Sequence, residues 1–243
     1  MFFLILLVII ELVINMDEVK DIYNNKKLLV RAMDYPNLQK GPDGLEYDCS
    51  IWANEFCMLK NGTFSSVSTT LIVPDVGVMT YKNIGFLIDS DLAECFHISK
   101  IDSSSRGNLL DGDFFASDAD FQTISELANY IETSNDPTMN EVNINAELNA
   151  VKGLFFNECP KQDLLLQRLY VARTCLKDIT GIEYPIYSYD LKNGKLNYVE
   201  LTDELEQQII DGLKTNNIFY WPDDYEIPVT AKIEKAHTNT HKI

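Results

Sequence analysis

Paired cysteines are missing from this sequence. Five occur in 243 residues, Cys49, Cys57, Cys95, Cys159 and Cys175, an odd number with no short paired spacing. That excludes a zinc ribbon and a disulfide framework, so the thiols are expected to be reduced and mostly buried. Basic residues are scarce: 20 Lys and Arg stand against 37 Asp and Glu, a formal net charge of -17. Such a surface repels the phosphates of nucleic acid and anionic lipid, and neither is expected as a partner. Histidine is limited to His97, His237 and His241. Internal repeats and low-complexity blocks are absent.

A long apolar run is also lacking. Residues 1–15 (MFFLILLVIIELVIN) are broken by Glu11, have no basic start and no small-residue cleavage site. They are too short to cross a bilayer comfortably, so no stable membrane span is expected. Three readings stand: a signal or anchor, a buried element, or a start placed ahead of the true one at Met16. A start at Met16 implies a cytoplasmic chain, or one exported without a cleaved signal. A genuine leader implies a secreted or membrane-anchored one.

What is present reads as an α+β protein. Val19, Ile22, Tyr23 and Leu29 predict a helix between Asp17 and Met33. Thr63 to Val73 is β-branched and reads as a strand. Ile84–Ile88 and Glu94–Ile101 are expected to pair antiparallel across a short polar link, with 108–115 a third strand. From residue 117 the pattern predicts helices over 117–130, 140–156 and from Pro160 to a stop at Gly181. A hairpin follows around Asn193-Gly194, then a helix capped by Thr202, and 229–243 reads as a flexible tail. The expected organisation is a sheet-bearing core over 17–117 and a helical and hairpin region over 118–228.

Chemistry concentrates at Gly41-Pro-Asp-Gly-Leu-Glu-Tyr-Asp-Cys-Ser50. Asp48 is a good N-cap, and Trp52, Phe56 and Leu59 continue with helical spacing, which puts Cys49 at a helix N-terminus. Unpaired N–H groups there lower a thiol pKa and can hold an oxyanion. The same stretch equally describes a capped structural helix with a buried cysteine. His97 alone among the histidines sits in an apolar strand, so it is the candidate base. Asp111 and Asp113 lie on the next predicted strand. Cys95 and His97, two apart, are expected to share a strand face, an arrangement open to a metal ion. No further ligand completes a set, and neither metal nor organic cofactor is expected. Asp111, Asp113, Asp118 and Asp120 lack the closing glutamate of a calcium loop.

These residues resemble the nucleophile segment of the NlpC-type papain-like cysteine peptidases. The resemblance spans roughly residues 18–116 and implies a papain-like helix plus antiparallel sheet in the first half, beside a mostly helical second half. It implies Cys49 as nucleophile, His97 as base and Asp111 as the orienting group. Tyr35, Asp48 and Ser50 would line a site for the amino end of a peptide. The sequence departs from the family at Ile51, where glycine usually follows Asp-Cys-Ser, and at Asn83-Ile84, where Gly-Asp usually opens the strand.

Two functions follow. One is a cysteine-dependent amide hydrolase, peptidase or amidase, acting through an acyl-enzyme on a peptide or small amide. The other is a non-catalytic acidic interaction protein, effector-like, that binds a protein partner.

Overall fold

The computed structural model describes residues 17–33, 39–40, 46–47, 63–80, 82–101, 120–134 and 140–215. Helix α1 (17–24) is followed by strand β1 (Leu28–Met33), then the two-residue strands β2 (Gln39–Lys40) and β3 (Glu46–Tyr47). Strands β4 (Thr63–Ile72), β5 (Ile84–Asp89) and β6 (Ala93–Ser99) come next, with a 3-10 turn, Ser90–Leu92, between the last two. Helix α2 (Ile124–Thr133) precedes β7 (Glu141–Glu147), a second 3-10 turn (Leu148–Ala150) and β8 (Val151–Asn157). Helix α3 (Gln162–Thr180), β9 (Ile186–Asp190), β10 (Lys195–Tyr198) and helix α4 (Asp203–Thr215) complete the described chain.

Eight strands form one sheet in the order β10-β9-β8-β5-β1-β4-β7-β6. Every pairing is antiparallel except β8 with β9, which are parallel and joined through α3. A parallel neighbour requires such a crossover. The sheet cannot be flat. β5 and β6 stand four positions apart in it, about 19 Å at ordinary strand spacing. Their link, Asp89 to Ala93, spans about 14 Å at full extension. β7 and β8 are also four positions apart and joined by three residues, and the two 3-10 turns touch. The sheet therefore curls, bringing both turns together at one end.

Register assigns the side chains to faces, since paired residues share a side. One face carries Leu29, Val67, Leu71, Phe86, Ile88, Ile98, Val142, Ile144 and Leu154, all buried. Each such side chain stabilises the fold by about 1.5–3 kcal/mol relative to exposure. The opposite face changes character along the sheet. Leu28, Val30, Leu87 and Phe155 occupy its middle, and Tyr187 and Tyr189 one wing. Ser68, Thr70, His97, Ser99, Glu141 and Asn143 occupy the other.

Tyr23 ties α1 to this frame. Its buried hydroxyl lies 2.5 Å from the Gly194 carbonyl oxygen, to which it donates, with the Val73 oxygen at 3.2 Å. Gly194 has φ +58°, and a Cβ there would strike the Val76 backbone. The Asn-Gly signal thus sets both the left-handed turn and the close approach of two loops.

The papain-like first half with a helical second half is overturned. Strands from both sides of residue 117 build the single sheet, and helices fall on both sides of it. β5 and β6 do not pair with each other; β5 lies between β1 and β8, and β6 pairs with β7. The helix expected over 140–156 is the β7–β8 pair, because Val142, Ile144 and Ala146 alternate with Asn143 and Asn145 at strand period. The helix expected through Met33 stops at 24 and β1 begins at Leu28. Thr123, with Glu126, forms the capping box of α2, so that helix starts later than expected. The helix ending at Gly181, the hairpin at Gly194 and the helix after Thr202 are present.

Candidate functional site

Of the catalytic and substrate-binding residues expected from sequence, His97 is the one whose surroundings are described. Cys49, Asp48, Ser50, Tyr35 and Asp111 lie outside the described residues. His97 sits in β6, the last strand of the sheet among the described residues, and is 7 % exposed.

A bulge decides where it points. Cys95 pairs with Ile144, and His97 pairs with Asn143, so two steps along β6 match one step along β7. Such a bulge puts an extra residue on one strand and resets alternation. Cys95 consequently shares the apolar face with Ile144, and His97 the polar face with Asn143. The expected Cys95–His97 metal pair is thereby removed. Among the described residues no cluster of His, Cys, Asp and Glu could hold a metal ion. Burial pushes the Cys95 thiol up to about 11, with nearby Asp91 adding to the shift. The thiol is neutral at physiological pH.

His97 stands in a short polar row. Asn143 is directly opposite it, and Ser99 faces Glu141 two residues along the same two strands. Opposed side chains begin about 4.5–5.5 Å apart at Cβ, within reach of a hydrogen bond between longer groups. All four residues are buried. Ser99 donates its hydroxyl to Asp120, 3.0 Å away, and Asp120 also accepts from the Lys100 N–H at 3.0 Å. Asp120 is thus a closing group for the end of β6. Asn143 and Glu141 could have been found in sequence by the strict alternation of Glu-Val-Asn-Ile-Asn-Ala-Glu.

Exposed apolar side chains accompany β6 from the residue before its start to just past its end. Leu92, Phe96 and Ile101 are 45 %, 42 % and 37 % exposed, three of the five large apolar side chains exposed among the described residues. The 3-10 turn before β6 borders a groove of about 450 Å³ lined by Asp17, Glu18, Asp21, Asp89 and Asp91, with Lys27 the single lysine. Lys27 pairs with Asp91 at 2.5 Å, which raises the lysine pKa.

No family model matches the chain, and no curated protein is similar to it in sequence. Geometry and chemistry carry the reading of function. No helix among the described residues is long and apolar enough to cross a membrane.

Proposed function

We propose that this chain is a non-catalytic interaction protein that binds a protein partner along β6. One observation carries the reading: exposed Leu92, Phe96 and Ile101 fall within ten residues of sequence on or beside the sheet's last strand among the described residues. Single exposed apolar residues need no explanation; three on or beside one strand support an interaction surface there. Aromatic side chains such as Phe96 are favoured at the centre of such surfaces. The test is a photoreactive benzophenone residue in place of Phe96, with Ile182, equally exposed, as the control position. An adduct formed at position 96 and not at 182, identified and then rebuilt from purified components with weaker binding to Phe96→Ser, supports the proposal. Equal adducts at both positions, or none at 96, overturns it.

A second reading is favoured by the polar row around His97. A buried histidine opposite Asn143 has the makings of a base with an orienting partner. In that reading the protein is a thiol-dependent amide hydrolase with a strand order of its own. Cys49 attacks the amide carbonyl, and His97 protonates the leaving amine and then activates water. Its test is alkylation at neutral pH. Cys49 should react faster than the other four thiols and lose that advantage in His97→Asn; equal rates count against it.

A further inference from the structure

We infer that the partner surface recognised by β6 is basic, an apolar-tipped segment whose lysines or arginines enter the carboxylate groove beside Leu92. The inference deepens the interaction reading and rests on it.

The apolar surface alone does not name its occupant; the charge around it does. Asp91 lines the groove, and Leu92, the next residue, is exposed. The groove and the first of the exposed apolar residues are therefore adjacent along the chain. Phe96 lies four residues further along the strand, about 13 Å away at strand rise. Asp17 and Asp21 are exposed on α1 across the groove, and Glu18 is half-buried there, 2.5 Å from Lys152. Lys27 is engaged by Asp91, and Asp89 is committed to the turn, accepting the Asp91 N–H at 3.0 Å. The two outer carboxylates of α1 are the groups best placed to receive an incoming cation.

A second copy of this chain does not suit the surface. Each copy has a formal net charge of -17, and like charges facing one another oppose association. A basic segment gains twice, by covering Leu92 and Phe96 and by neutralising Asp17 and Asp21.

The probes are three synthetic ten-residue peptides alternating Leu or Phe with Lys, with Ser, or with Glu, measured by fluorescence anisotropy on the full chain. The Lys peptide should bind most tightly and weaken with added salt. Asp17→Asn with Asp21→Asn should weaken it about tenfold. Asp163→Asn with Glu204→Gln removes the same charge from exposed sites on α3 and α4 and should change affinity less than twofold. Equal losses from both pairs of substitutions would reduce the effect to net charge and overturn the inference. If Ser and Glu peptides bind as well as Lys and lose affinity in Phe96→Ser, the interaction reading stands and the basic partner falls. If no peptide responds to Phe96→Ser, both fall. Circular dichroism of each variant confirms that it is folded.

Discussion

Cys95 and His97 stand two residues apart in β6 and point to opposite faces of the sheet, because the bulge between them inserts Phe96 and sets them against the adjacent residues Ile144 and Asn143. A strand without the bulge would have aligned thiol and imidazole. The prediction concerns metal: Co²⁺ added to the protein should give the same absorption spectrum in wild type and Cys95→Ser. A thiolate-to-metal band lost in Cys95→Ser would place the two side chains together. With its thiol held up to about 11 by burial, Cys95 should also alkylate slowly at neutral pH and speed up as pH rises toward that value.

Tyrosine ionisation should report the fold. Burial pushes Tyr184 and Tyr189 up to about 12, and it raises Tyr23 and Tyr187 as well. Folded values above the ordinary 10 mean that the folded state holds these protons more tightly. The stabilising contribution is complete below pH 10 and is lost as pH rises through 12. A rapid jump to high pH should at first leave Tyr23, Tyr184, Tyr187 and Tyr189 protonated. The buried set should ionise only with the loss of far-ultraviolet dichroism, and simultaneous ionisation of all twelve would contradict this.

Asn140 extends β7 by side-chain pairing, accepting from the Leu71 N–H at 2.8 Å and donating to the Leu71 oxygen at 3.0 Å. Both Leu71 groups are buried. Asn140→Ala should therefore destabilise by about 2–4 kcal/mol in urea unfolding, because it orphans a donor and an acceptor together. A loss under about 0.5 kcal/mol would mean that water replaces the amide.

Gly194→Ala should be more harmful than Tyr23→Phe, although both disturb the same contact. The phenylalanine loses one hydroxyl, about 1–2 kcal/mol. The alanine meets a positive φ and the Val76 backbone together, and about 3 kcal/mol or more is expected. Thermal unfolding of the two variants ranks them directly.

Element boundaries were legible where a local signal had a single meaning. Gly181 after the Leu165–Leu176 stripe, Asn193-Gly194 between apolar runs, and Thr202 before Leu205 each set a boundary through their own backbone chemistry. Residues 140–156 were misread because Ile144, Leu148, Val151 and Phe155 also recur at helical spacing. The alternating asparagines held the deciding period. The neighbours of β5 and β6 were not legible at all. A three-residue polar link resembles a hairpin, and only the curl of the sheet lets it bridge strands four positions apart. For the candidate site, His97 was visible by elimination. Asn143 and Glu141 were hidden by the helix reading, and the face of Cys95 was hidden by the bulge. The spacing of Cys95 and Ile98, three apart on one face, was the available clue.

The most direct test of partner binding at β6 is nuclear magnetic resonance of the full chain during titration with the Leu/Phe–Lys peptide. Saturable shifts should centre on Leu92, Phe96, Asp17 and Asp21, with the resonances of α4 unmoved. Shifts spread evenly over the acidic surface, or centred on α4 instead of the start of β6, would contradict it.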